Sequence, residues 1–209
     1  MNKPKNIREL FDIIIENLEK KAYWNHISLW QECLLKIADE SVRNEIEIRF
    51  AKKVLDILQR APYKKKSEKL ILSLYSYYPI SKHAPQFKQE AWELFKNAKH
   101  PVVQTLGISI LNDIGRNDPV ESRKLIQALK NRFNDFEKND DDTPDRSFDF
   151  LYRNNNSIPL IIANRKNLQD FVFILSKLKS KHPFLKYLVM QYFDKLIDMM
   201  YSLRTVKFP

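Results

Sequence analysis

Glycine is almost absent from this chain: only Gly107 and Gly115 occur among its 209 residues. A protein of this length ordinarily contains roughly fifteen. Phosphate-binding loops, dinucleotide-binding turns and hairpin-rich β-folds need several residues at positive φ, or with backbone bare enough to touch a ligand, and glycine usually supplies them. The shortage therefore predicts a helical protein whose turns are made by proline, asparagine and aspartate.

The composition favours a globular protein in a reducing compartment. Apolar residues make up 44% of the chain, which is enough for a substantial core. The longest apolar runs, such as 13–15 and 159–163, fall far short of the roughly 20 residues that span a bilayer, so no membrane insertion is expected. The N-terminal residues lack the apolar stretch of a signal peptide, and a single cysteine, Cys33, excludes an internal disulfide. The cytoplasm or the nucleus is favoured.

Helical periodicity runs through almost every segment. It begins over 7–18, where apolar residues are spaced by three and four. Asn6 is the expected N-cap of this helix, and Glu9 follows it by three residues, as in a capping box. Period-2 runs are short and lie inside longer helical patterns. The sequence predicts ten or eleven helices and no strand.

The prolines arrange these helices at a regular interval. Proline favours the first turn of a helix, so its positions mark helix starts. Seven of the ten prolines fall on two interleaved series with intervals of 39–43 residues; the series are Pro62, Pro101, Pro144 and Pro183, and Pro79, Pro119 and Pro159. Each interval has room for two antiparallel helices.

Residues 100–115, HPVVQTLGISILNDIG, resemble one unit of a HEAT-type helical repeat. Such units have a proline early, a small residue in mid-helix and leucines at helical spacing, with periods of about 40 to 47 residues. The resemblance implies that Gly107 lets a neighbouring helix approach closely and that Gly115 is the left-handed cap that ends the helix.

The expected fold is therefore all-α, a right-handed α-solenoid of HEAT-like antiparallel helix pairs. An irregular α-helical bundle is the alternative. The chain is expected to form a single domain over 1–209, with 1–61 as an N-terminal helical unit and cap and 62–203 as the helix pairs.

The net charge of +10 is unevenly distributed. Residues 61–116 hold nine basic and four acidic side chains, and 146–209 hold eleven and four, whereas 1–60 are nearly balanced. Such a bias favours acidic partners, either protein or nucleic acid. The residues expected to bind the partner are Lys64, Lys65, Lys66, Lys69, Arg116, Arg165, Lys166, Lys177, Lys179 and Lys181.

No assembled catalytic, metal or cofactor site is evident in the sequence. The histidines are scattered, and His100 and His182 each precede a proline at an expected helix start, which favours turn or capping roles. Cys33 lies on the apolar side of its helix, so a buried structural role is expected. The acidic run 140–145 lacks the glycine and the final glutamate of a calcium loop and is expected to be an exposed loop. A non-enzymatic interaction or scaffold protein is the leading hypothesis.

Two further hypotheses remain open. HEAT-like repeats also build a family of alkylpurine DNA glycosylases, which are basic and of comparable length. The resemblance implies aromatic side chains with a carboxylate in a DNA-facing groove. This chain has residues of these kinds, although that family's motifs cannot be matched onto them: Trp24, Trp30, Trp92, Asp113 and Arg116.

The other hypothesis is a structural subunit that docks through its C-terminal helix, which carries apolar residues almost all round. A second copy or another partner would contact Tyr192, Leu196, Met199, Met200 and Leu203.

Overall fold

The computed structural model describes residues 5–64, 69–71, 73–74, 79–138, 168–191 and 193–194. Every regular element in these ranges is helical and none is a strand, which confirms the all-α prediction for them. The α-helices are α1 (Ile7–Asn17), α2 (Lys21–Trp24), α3 (Ile27–Leu35), α4 (Glu40–Arg60), α5 (Pro79–Lys82), α6 (Lys88–Asn97), α7 (Pro101–Asn117), α8 (Pro119–Lys138), α9 (Leu168–Ser176) and α10 (183–191). Short 3₁₀ helices lie at Ala84–Phe87 and Lys177–Lys179. Within these ranges, no helix has both the length and the apolar character needed to cross a bilayer.

Capping contacts explain where several helices begin. The side chain of Asn6 accepts the backbone N–H of Glu9 at 2.9 Å, as predicted. The Glu9 carboxylate accepts the backbone N–H of Lys5, one residue before the position that a capping box uses. The ring of His100 accepts the N–H of Val102 at 3.3 Å, which confirms its capping role.

Four prolines begin helices as predicted: Pro79, Pro101, Pro119 and Pro183. Pro62 lies instead in the turn that follows α4. Pro144 and Pro159 lie outside the described residues. The proline series therefore marks helix starts at four of its seven positions, and Pro62 is an exception.

The chain divides into two compact units, Met1–Pro119 and Val120–Pro209. Large apolar side chains fill the core of the first unit, among them Phe11, Phe50 and Phe87, which are fully buried. Phe133 and Leu188 are buried in the second unit. The single-domain organisation stays a prediction.

Helices α6 and α7 form an antiparallel hairpin with a three-residue connection, and Gly107 lies at their closest approach. A Cβ added to Gly107 would lie 2.7 Å from the carbonyl oxygen of Ala91 and 2.7 Å from the backbone nitrogen of Phe95. Real Cβ contacts are never that short, so only glycine fits this crossing. The role predicted for Gly107 is confirmed.

The prediction for Gly115 is wrong. It lies buried inside α7, which continues to Asn117 and ends with Asp118 in an extended conformation. The N–H of Asp118 returns to the carbonyl of Ile114, so the helix closes without a left-handed glycine.

In the first unit, α1 and α4 lie side by side and run in the same direction. Arg8 pairs with Glu45 at 3.0 Å, and further along both helices Asp12 pairs with Arg49. On the same two helices, Phe11 and Phe50 meet edge to face with ring centroids 6.4 Å apart. The partners are 37 to 39 residues apart in sequence.

In the second unit, α8 and α9 are related in the same way. Lys130 pairs with Asp170, and Phe133 meets Phe173 edge to face at 6.4 Å. One turn further, Glu137 pairs with Lys177 at 2.6 Å. Every one of these pairs is separated by 40 residues. Since both members of each pair advance together along the chain, α8 and α9 are parallel neighbours.

Candidate basic interaction surface

Most of the predicted basic residues that the structure describes are exposed. Lys64 is exposed in the turn that follows α4. Lys69 is exposed in the helical residues 69–71. Lys179 and Lys181 are exposed just before α10. Lys65, Lys66, Arg165 and Lys166 lie outside the described residues, as do the predicted docking residues Tyr192, Leu196, Met199, Met200 and Leu203.

Arg116 is exposed near the end of α7. Its side chain is 69% accessible, and the guanidinium lies 3.6 Å from the carboxylate of Asp113, one turn earlier on the same helix. An exposed pair of this kind contributes little stability, because water screens both charges. Arg116 is therefore accessible to a partner, although part of its charge is already neutralised.

Lys177 is not part of an exposed surface, so its assignment as a partner-binding residue is corrected. The residue is only 6% exposed. Its ammonium donates to Glu137 at 2.6 Å and to Asn134 at 2.8 Å, and it lies 4.8 Å from the centre of the Phe173 ring. Burial of a lysine requires such a counter-ion and hydrogen-bond acceptors. The charge of Lys177 is used to join α8 to the end of α9.

The region 179–187 combines exposed lysines with an exposed aromatic ring. Lys179, Lys181 and Lys186 are all exposed, and Tyr187 is 45% accessible. The sequence has no acidic residue between 171 and 193. We call Lys179, Lys181, Lys186 and Tyr187 the 179–187 patch.

Tyr187 was missed as a site residue because α10 is rich in apolar side chains. Its described part is nevertheless amphipathic: Leu185, Leu188 and Val189 are buried, whereas Lys186 and Tyr187 are exposed. The i, i+3, i+4 spacing of the buried residues is a signal that could have identified the exposed face.

Several basic residues among the first 60 positions form ion pairs with carboxylates. Glu19 accepts from Arg60 at 2.8 Å and from Lys53 at 3.1 Å. The hydrogen bonds from Arg60 and then Lys53 lower the pKa of Glu19, which remains an anion at neutral pH. With the two ion pairs between α1 and α4, these contacts neutralise much of the positive charge in this region.

A buried carboxylate joins α4 to the end of α5. Glu47 is 2% exposed and accepts from Lys82 at 2.7 Å, while Nε2 of His83 lies 2.8 Å from the same oxygen. Burial alone would raise the pKa of Glu47, but the hydrogen bonds from Lys82 and His83 outweigh it and hold the pKa below its ordinary value. Glu47 and His83 lie inside the packed helices, whereas the side chain of Lys82 is about a third exposed.

Replacing Glu47 with glutamine is expected to destabilise the protein by about 1–3 kcal/mol at pH 7, since Lys82 and the buried His83 lose their anionic acceptor. Because the folded-state pKa is lowered, the stability that Glu47 contributes is present above its unfolded pKa and is lost as the pH falls through the folded value. Urea unfolding at several pH values should therefore show the wild type and Glu47→Gln converging in acid. Glu16→Gln, at an exposed position of α1, is the control and should change stability little at any pH. A constant difference down to acidic pH would contradict the assignment.

The other residues considered as possible metal ligands or nucleophiles are the histidines, Cys33 and the acidic run 140–145. Among the described residues, no three His, Cys, Asp or Glu side chains are placed to hold a metal ion. Cys33 is half-buried, less than predicted. His182 lies in the turn before α10, as expected, and its ring packs against Phe136 with centroids 4.6 Å apart. The acidic run 140–145 lies outside the described residues.

The residues considered for a glycosylase-like groove contact other residues of the chain. Trp24 is 8% exposed, and the indole N–H of Trp30 donates to the carbonyl of Tyr23 at 2.9 Å. Trp92 contacts Phe95 at a centroid distance of 5.8 Å and lies beneath the ammonium of Lys96. Asp113 pairs with Arg116, as described above.

Comparisons of the chain with protein-family models, with curated proteins and with solved structures gave no match.

Proposed function

We propose that this protein is a non-enzymatic helical-repeat interaction module that binds an acidic partner through exposed basic residues. The observation that carries the repeat part of the proposal is the 40-residue register between α8 and α9. The observation that carries the binding part is the exposure of lysines in a region without acidic residues.

The register is what a HEAT-like repeat requires. In such an array, equivalent helices of successive units stack side by side in the same direction, so residues one period apart come into contact. The Phe133–Phe173 pair in the second unit and the Phe11–Phe50 pair in the first have separations close to one such period. The α6–α7 hairpin has the antiparallel form of a single repeat unit. Separations of 37 to 39 residues in the first unit and 40 in the second favour a repeat over an irregular bundle.

The acidic partner follows from where positive charge remains accessible. In the first 60 residues, arginines and lysines pair with carboxylates on neighbouring helices. In the region 179–187, by contrast, lysines are exposed and the nearby sequence offers no carboxylate. Exposed cationic side chains attract polyanions and release their counterions on binding, so the affinity should depend strongly on salt.

A charge reversal at two of these lysines tests the proposal. The variant Lys179→Glu, Lys181→Glu is expected to bind its preferred polyanion about tenfold more weakly at low salt, because two favourable contacts become repulsive. Fluorescence anisotropy with single-stranded oligonucleotides, duplex DNA and polyglutamate across a salt series gives the measurement.

The matched control is Lys36→Glu, Lys52→Glu, which makes the same change in net charge at exposed positions of the nearly balanced first 60 residues. It should retain most of the affinity. Equal losses in both double variants would mean that only net charge matters, and absence of binding to every polyanion at low salt would refute the proposal.

A further inference from the structure

The exposed face of α10 places a lysine next to an aromatic ring. Residues 183, 186, 187 and 190 are exposed, whereas 185, 188 and 189 are buried. The i, i+3, i+4, i+7 spacing of the exposed set puts Lys186 and Tyr187 on one helix face. Both side chains are therefore available to one ligand.

The ring of Tyr187 is accessible and lies nearly parallel to a second aromatic ring. It is 45% exposed, and it stacks on Phe184 with centroids 6.4 Å apart and an angle of 24° between the planes. Phe184 itself is only partly exposed. A ring supported in this way loses little conformational freedom when a flat ligand stacks on it.

Positive charge adjoins this ring in the sequence. Lys179 and Lys181 are exposed in the short segment that leads into α10, and Lys186 is on the helix beside Tyr187. Lys177 does not add to this charge, because it is buried against Glu137. Cationic groups beside an accessible aromatic ring are the two components of a surface that binds unpaired nucleotides.

We infer that the 179–187 patch binds single-stranded nucleic acid, with the lysines contacting phosphates and a base stacking on Tyr187. This inference rests on the proposed binding of an acidic partner and narrows its chemistry. An acidic polypeptide has carboxylates for the lysines, but its side chains do not require a stacking ring. Duplex DNA has phosphates, but its bases are already stacked on one another inside the helix. A single strand uses both components of the patch.

The test compares two substitutions of the same ring in the full-length chain. Tyr187→Leu removes the aromatic face but keeps apolar bulk, and it should weaken binding to single-stranded oligonucleotides of about ten nucleotides by about tenfold. Tyr187→Phe keeps the face and should bind as the wild type does. The affinity of Tyr187→Leu for duplex DNA and for polyglutamate should be unchanged. Parallel RNA and DNA oligonucleotides show which sugar is preferred.

Met190→Ala is the control on the same helix face. Met190 is 59% exposed, one turn after Lys186, and has no ring, so its loss should leave the affinity for single strands within about twofold of the wild type. A loss as large as that of Tyr187→Leu would assign the effect to the helix surface in general and would overturn the stacking role. Circular dichroism of each variant checks that the fold is retained.

The outcomes separate this inference from the proposed function. If Lys179→Glu, Lys181→Glu weakens binding but Tyr187→Leu does not, the basic surface stands and the stacking site is refuted. Tighter binding to polyglutamate than to single strands would support an acidic protein partner and would also refute the inference. If no polyanion binds, the inference and the proposed function both fail.

Discussion

Replacing Gly107 by leucine is expected to destabilise the protein by about 3 kcal/mol, because the new side chain has no space where α6 crosses α7. Even the first added atom would lie 2.7 Å from the backbone of Ala91 and from that of Phe95. Backbone atoms in a helix cannot move aside as a flexible side chain can. The helices would have to separate, and the buried contacts around them would loosen. Urea unfolding of the purified variant measures the loss.

Gly107→Ala separates the steric effect from helix propensity. Alanine favours a helix over glycine by about 1 kcal/mol, so an open site would become more stable. At this site we expect a net loss of about 1–2 kcal/mol, since the clash with backbone exceeds the propensity gain. Ser109→Ala is the control, because Ser109 is exposed on the same helix and should show only a small gain. Stabilisation by Gly107→Ala would contradict the close crossing.

The second large effect is expected at Lys177. Replacing it with alanine should cost about 3 kcal/mol, because the substitution removes an ammonium that is buried against Glu137 and Asn134 and leaves a partly buried carboxylate without its partner. The hydrogen bonds from Lys177 and then Ser180 hold the pKa of Glu137 below its ordinary value. The stability from this pair should therefore be present at neutral pH and fall as the pH drops through the folded-state pKa of Glu137.

A double-mutant cycle with Glu137→Ala measures the Lys177 interaction directly. The two single losses should add to more than the loss in the double variant, with a coupling of about 1–3 kcal/mol at pH 7 that shrinks in acid. Lys179→Ala, only two residues away but exposed, is the control and should change stability by less than about 0.5 kcal/mol. Additive losses at Lys177 and Glu137 would show that the ion pair does not join α8 to the end of α9.

The two glycines show how far sequence reasoning reached. A small residue in mid-helix correctly indicated a close crossing at Gly107. The same reasoning failed at Gly115. Glycine occurs both where helices pack closely and where a helix ends, and the residues around Gly115 do not distinguish these two roles. Only the continuation of α7 to Asn117 decided the matter.

The candidate site was predicted in part for a similar reason. Lys179 and Lys181 are exposed as expected, but Lys177, two residues away in the same basic run, is buried. Tyr187 was not singled out in a helix rich in apolar residues, although its ring is partly accessible and it follows Lys186 in the sequence. Charge and hydrophobicity give the character of a segment, and its orientation in the fold decides which side chains a ligand can reach.

The sequence by itself determined the local structure: the helical class, the cap at Asn6, the capping histidine before Pro101 and most of the proline-marked helix starts. These features depend on residues within about four positions of one another, where backbone geometry and capping chemistry suffice. Only the tertiary structure decided which charges are neutralised and which remain available. The partners of Lys130 and Lys177 are 40 residues distant, and packing of α8 against α9 brings them together. This packing buries Lys177 and Asp170 and leaves the 179–187 patch exposed.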